Sequence, residues 1–225
     1  TPGLLDEFHN RVSKVIRAVA PELTLVFEPN SLRNFTDEWA VSTPFPFEDA
    51  VYSPHIYTDV FTDGWAGRDI EKLHTSIVKA KEEANAHNTP LLVGEYGNSP
   101  TTETGQIWLE ESLNKMDETG ASAAVWLYEE QSQGSWGLYD AIDGKRGPIR
   151  DTFARLISRP YPQAIDGDIE SFSFDMDSLT LTVAISGAGS GEHVLAAPMR
   201  LYPQGVTVTC DGMETTVDAS SPGRV

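Results

Sequence analysis

Apolar positions over the first 160 residues keep two alternating rhythms. Leu4, Phe8, Val12, Val15, Ile16 and Val19 fall on one face of a helix predicted over 4–20, which Pro21 ends. A short apolar run predicts a strand over 23–27, closing on Glu28-Pro29-Asn30, and a polar and aromatic loop covers 31–49. A second strand is predicted over 50–57. A helix follows over 70–87, with Ile70, Leu73, Ile77 and Ala80 as its inner face. A third strand over 91–94 is introduced by Pro90. The helix predicted over 104–118 has Gly120 where a C-cap glycine belongs. A fourth strand over 123–128 and a last helix over 148–157 complete the series.

Short apolar strands alternating with helices predict an α/β fold, a parallel sheet covered by helices. Each strand ends on a polar or aromatic residue: Asn30, His55 with Tyr57, Glu95, and Trp126. In a (β/α)8 barrel such ends converge on one face. Four units make half of that barrel. An open doubly wound sheet also accommodates four units, although no glycine-rich phosphate loop follows any strand.

The rhythm changes after Arg159-Pro160-Tyr161-Pro162. Phe172 and Phe174, then Leu179, Leu181, Val183 and Ile185, alternate with period two, and Asp211-Gly212 is a hairpin signal. Two domains are therefore expected, residues 1–160 as the strand–helix unit and 161–225 as a small all-β sandwich, incomplete at its end. The chain opens at Thr1 inside a helical pattern, so both termini are expected to be interior points of a longer protein.

Composition narrows the function. A net charge of −18 and a pI near 4.5 argue against nucleic acid and against docking to anionic lipid, both of which need basic patches. The single cysteine, Cys210, allows no disulfide within the chain. No apolar run approaches the roughly 20 residues that would insert stably in a membrane.

The strongest candidate for chemistry is Leu91-Leu92-Val93-Gly94-Glu95-Tyr96-Gly97, where a carboxylate appears as a buried strand ends, with glycines on both sides. Barrels keep catalytic groups at that position. Glu95 reads as a catalytic nucleophile, with a strand-end ion pair as the alternative. His55 and Tyr57, two apart on one strand, share a face. Trp126 offers a flat apolar platform, and Asn30 can both donate and accept hydrogen bonds, as sugar hydroxyls require. Each of these side chains has a purely structural reading as well. Glu28 reads as a polar anchor of the sheet, and Glu129 and Glu130 stay unassigned. There is no Gly-x-Ser-x-Gly and no His-Glu-x-x-His, and no metal or other cofactor is implied.

Three pieces in order, Ser53-Pro54-His55-Ile56-Tyr57, Val93-Gly94-Glu95-Tyr96-Gly97 and Ala124-Val125-Trp126, resemble family 5 of the retaining glycoside hydrolases. Ile16-Arg17-Ala18-Val19-Ala20-Pro21 leading to Phe27-Glu28-Pro29-Asn30, the joint from Arg159 to Gly167, and Pro198-Met199-Arg200-Leu201-Tyr202-Pro203 are similar to its endoglycoceramidase branch. The resemblance implies the second half of a (β/α)8 TIM barrel followed by a β-sandwich. Glu95 would be the nucleophile, positioned by His55 and Tyr57, and Trp126 would stack on the sugar. Asn30 stands where that branch often carries glutamine.

The family's acid/base glutamate lies in an Asn-Glu pair that this chain lacks, so it is expected upstream of Thr1. The implied substrate is a glycolipid cleaved at the sugar–ceramide bond. A β-glucosidase or endoglucanase and a non-catalytic carbohydrate-binding remnant are the alternatives. The implied partner is the upstream half of the same barrel, without which the chain is expected to be inactive. The implied location is extracellular, by secretion. The loop over 61–68, with Trp65, is either a lipid-facing rim or a packed loop.

Overall fold

The computed structural model describes residues 2–37, 44–61, 69–130, 134–214 and 223–225. Trp65 and most of the loop around it lie outside them. The elements in order are α1 (Pro2–Val19), β1 (Leu25–Phe27), α2 (Arg33–Thr36), β2 (Ala50–Tyr52), β3 (His55–Ile56), α3 (Ile70–Ala86), β4 (Leu92–Tyr96), α4 (Glu103–Thr119), β5 (Ser122–Val125), β6 (Tyr139–Ile142), β7 (Lys145–Ile149) and α5 (Asp151–Ile157). Six strands follow: β8 (Tyr161–Ala164), β9 (Asp168–Asp175), β10 (Thr180–Ser186), β11 (Val194–Ala196), β12 (Thr209–Cys210) and β13 (Met213–Glu214). Contacts divide the chain into two units, Thr1–Pro148 and Ile149–Val225.

In the first unit β1 pairs β2, β3 pairs β4 and β4 pairs β5, all parallel, and a Tyr52–Leu91 bridge joins β2 to the residue just before β4. The strands thus neighbour one another in chain order. That is the order of a (β/α) barrel, and it sets aside the doubly wound sheet, which reverses direction at a switch point. The strand expected over 50–57 is broken, because Pro54 has no N–H to give a ladder. Ser53 and Pro54 separate β2 from β3.

α3 packs on α4. Leu73, Ile77, Ala80 and Ala84 repeat at helical spacing, and they and Trp108, Leu109 and Met116 of α4 have at most 2% exposure. Each large member contributes about 1.5–3 kcal/mol by leaving water. Thr102 caps α4 by accepting the Gly105 N–H, and Gly120 ends it at φ 63°, the left-handed turn that glycine adopts without strain.

Two expectations are corrected. The helix expected from Pro148 begins at Asp151, because Gly147 and Pro148 belong to β7. Asp143 and Gly144 join β6 to β7 with φ of 51° and 70°, as a two-residue hairpin turn requires. The apolar face expected on α1 is helical but uncovered among the described residues: Leu4, Phe8, Val15 and Val19 are exposed.

The second unit is α5 with three antiparallel pairs, β9–β10, β8–β11 and β12–β13. Asp211-Gly212 makes the last of these turns, both residues at positive φ. The Arg159 guanidinium lies 4.9 Å from the centre of the Phe174 ring.

Phe27 of β1 stacks on Phe45 at 4.0 Å, and the His87 ring meets Phe27 edge-on. The buried His87 accepts the Phe45 N–H on Nδ1 at 3.1 Å, and burial pushes its pKa below the ordinary 6.5. The unfolded chain therefore takes up this proton at higher pH than the folded chain. The contribution of neutral His87 is complete above about pH 6.5 and declines as pH falls below it. In the full-length protein, urea midpoints should fall from pH 7 to pH 5, and less steeply for His87→Gln. Equal slopes for the two proteins would count against this role.

Candidate active site

β4 carries an extra residue where it passes β5. Leu92 and Val93 face Ser122 and Ala123, but Tyr96 faces Val125, so three steps on β4 match two on β5. A bulge of this kind re-aims a side chain. The residues inside it are Gly94 and Glu95.

On the other edge β3 holds its register, with His55 beside Glu95. The Tyr57 hydroxyl donates to Glu95 Oε2 at 2.8 Å, and His55 Nδ1 lies 3.3 Å from the same oxygen. The other ring nitrogen of His55, Nε2, is 3.5 Å from Glu28 Oε1. Burial first, then the hydrogen bond and negative charge of Glu95, raise the Tyr57 pKa well above the usual phenol range. Tyr57 therefore stays protonated and remains a donor to the carboxylate at neutral pH.

The glycines are required by contact. A Cβ on Gly94 would sit 2.5 Å from Ser53 Oγ and 3.2 Å from His55 Cδ2. A Cβ on Gly97 would collide with the Trp126 carbonyl oxygen and approach Trp136 Cε3 at 3.3 Å. The Gly-Glu-aromatic-Gly pattern thus makes room for His55 on one side and for the chain at Trp126 on the other.

Trp126 stands one residue beyond β5. Its N–H donates to the Tyr96 carbonyl at 2.8 Å, and 37% of the residue is exposed. Asn30 is not drawn into the cluster in the same way: its Oδ1 accepts the Leu32 N–H at 2.9 Å and shapes the turn into α2. Glu28, read as a sheet anchor, instead turns a largely exposed carboxylate toward His55.

Three participants escaped the sequence reading. Trp136 is buried, with its ring 6.3 Å from that of Tyr57 and stacked on Phe61 at 5.6 Å. Its place is fixed by Glu130, a buried carboxylate that accepts the N–H groups of Gly134, Trp136 and Gly137 at 2.5–2.7 Å. Asn34 binds the backbone of both His55 and Tyr57. A tryptophan between glycines in Gly134-Ser135-Trp136-Gly137 was the available signal for the first; a lone loop asparagine offers none. Among the described residues no group of three or more His, Cys, Asp or Glu side chains is arranged to hold a metal ion.

A carboxylate so held is pointed by a neutral donor, as a nucleophile or an electrostatic stabiliser requires.

Among solved structures, the chain is similar to endo-glycoceramidase II from Rhodococcus sp., in a lactosyl-enzyme intermediate (TM-score 0.68, 20% identity, covering 98% of this chain and 52% of that one). It is also similar to an endogalactoceramidase (TM-score 0.68, 19% identity, 86% and 44%) and to an endoglucanase (TM-score 0.55, 17% identity, 70% and 55%). At these identities the likeness concerns the fold. The chain spans about half the length of the structures it matches. No curated protein matches it. Residues 159–224 match the glycoside hydrolase family 5 C-terminal domain. Residues 3–132, more than half of the chain, match the cellulase model of glycosyl hydrolase family 5, and the chain belongs to that family.

Proposed function

We propose that the protein containing this chain is a retaining β-glycosidase that cleaves the bond between a sugar and ceramide, with Glu95 as nucleophile. The observation that carries this reading is the Glu95 carboxylate, turned by a bulge and shared at one oxygen by Tyr57 and His55. Glu95 attacks the anomeric carbon and forms a glycosyl ester as the bond to the aglycone oxygen breaks. A second carboxyl group, about 5–5.5 Å away, gives that oxygen a proton and then activates the water that hydrolyses the ester. That acid/base belongs to the upstream half of the barrel. The exposed stripe of Leu4, Phe8, Val15 and Val19 on α1, and the edge of β1, are the surfaces that half would cover. Tyr57 and His55 fix the nucleophile, Trp126 is the sugar platform, and the Asn30 amide remains available as a donor to a hydroxyl.

An apolar aglycone is favoured over a glucan by the side chains beside Tyr57. Phe35 stacks on Tyr57 at 6.2 Å and Phe61 lies at 5.6 Å, and both are substantially exposed. Neither has a polar handle for a sugar hydroxyl, so together they suit hydrocarbon. A relative of this fold, endo-glycoceramidase II from Rhodococcus sp., has been solved with ganglioside GM3.

In the full-length protein Glu95→Gln should lower turnover by about 10³-fold or more, with sugar binding retained. Near-normal turnover in that variant would reject the assignment of the nucleophile. Sugar release from glucosylceramide should exceed release from cellooligosaccharides; the reverse order would make the protein an endoglucanase. Gly97→Ala, which pushes on the Trp126 carbonyl, should reduce activity by at least about 10-fold, a misplacement of roughly 1 Å costing about 100-fold. Unchanged kcat/KM for Gly97→Ala would show that the close approach at Trp126 is not needed.

A further inference from the structure

We propose that Asn34 is a positioning residue for Glu95, acting through the backbone of His55 and Tyr57, and that the buried ion cluster on Arg33 anchors it. This rests on Glu95 being the nucleophile.

The need for such a residue follows from the ladder. The Ser53 N–H donates to Phe27 O at 2.9 Å, the last partner that β1 supplies. The chain then leaves the sheet at Pro29-Asn30. The His55 and Tyr57 N–H groups, beyond the break at Pro54, take no acceptor from β1. Those groups need acceptors, since an unpaired buried N–H is costly. Asn34 supplies both. Its Oδ1 accepts from His55 N at 3.1 Å, and its backbone oxygen accepts from Tyr57 N at 2.9 Å. One residue thus takes the place of a missing strand along the part of the chain whose side chains hold Glu95.

Asn34 sits in α2, a single turn of four residues, which is too short to be stable alone. The adjacent Arg33 holds it. That guanidinium is fully buried, with Nε at 2.9 Å from both Glu83 oxygens, Nη1 at 2.8 Å from Asp37 Oδ1, and Nη2 at 3.1 Å from Ser76 O. Glu83 also accepts the Tyr52 hydroxyl at 2.8 Å, and Asp37 accepts the Ser76 hydroxyl at 2.5 Å. These bonds join α2, α3 and β2. A charge-assisted cluster in which Nε is shared by both Glu83 oxygens while Nη1 and Nη2 are held by Asp37 and Ser76 permits little displacement. A shift of Asn34 would move His55 and Tyr57 together, and with them the two contacts at Glu95 Oε2.

The test uses the full-length protein and a 4-nitrophenyl β-lactoside or β-cellobioside. Asn34→Leu keeps the volume and removes the acceptor, whereas Asn34→Asp keeps an acceptor oxygen. The expected result is a kcat 10- to 100-fold lower for Asn34→Leu with KM changed less than about twofold, and recovery to within a few-fold in Asn34→Asp. Should Asn34→Leu fail to fold, Asn34→Ser, alone and combined with Tyr57→Phe, replaces it. Losses that are less than additive are expected, because both changes act on one contact. The proposal is overturned by a folded Asn34→Leu with kcat within twofold of the unaltered protein, by Asp failing to rescue, or by additive losses in the double variant. Glu95→Gln run in parallel separates the two readings: if that variant still turns over, the nucleophile assignment fails by itself, whatever Asn34 does.

Discussion

The site depends on one oxygen atom. Glu95 Oε2 takes the Tyr57 hydroxyl at 2.8 Å and stands 3.3 Å from His55 Nδ1, and everything near it serves that meeting. The bulge on β4 turns the carboxylate out of the strand's alternation. Gly94 leaves space for His55, and Gly97 leaves space for the chain at Trp126. Asn34 aligns Tyr57 and His55 from behind. Burial keeps Tyr57 protonated, so it remains a donor throughout the neutral range.

The parallel sheet makes this possible. Because β1, β2–β3, β4 and β5 run side by side in chain order, their ends bring together Glu28, His55, Glu95 and the start of the Trp126 segment, residues far apart in sequence. The packing of α3 on α4 supplies a rigid backing in which Leu73, Ile77 and Trp108 are wholly buried. The polar cluster on Arg33 adds direction rather than apolar burial. Removing one partner from it would leave charges buried without compensation, at a cost of about 3–5 kcal/mol.

Much of this was legible in the sequence where a local rule applied. Helical spacing located α1, α3 and α4, and the glycine after α4 ended it. Apolar runs located the five parallel strands, with β2 and β3 inside a single run. Strand ends named Glu95, His55 and Tyr57, and these three do meet. The failures have physical causes. The apolar stripe of α1 gives a helix face but not what covers it. Asp143-Gly144 carries the same turn signal as Asp211-Gly212, but the strands beside it, Tyr139–Ile142 and Lys145–Ile149, are polar and hold a proline, so no period-two pattern marked them. The role of Asn34 depends on where β1 leaves the sheet, a property of three segments at once.

The most direct measurement is to trap the intermediate. The full-length protein is incubated with an activated 2-deoxy-2-fluoro β-glycoside, digested, and its peptides weighed. This account predicts one sugar equivalent attached through an ester to the peptide containing Glu95. Hydrolysis of substrate with the label on a different carboxylate, or inactivation with Glu95 unmodified, would contradict it.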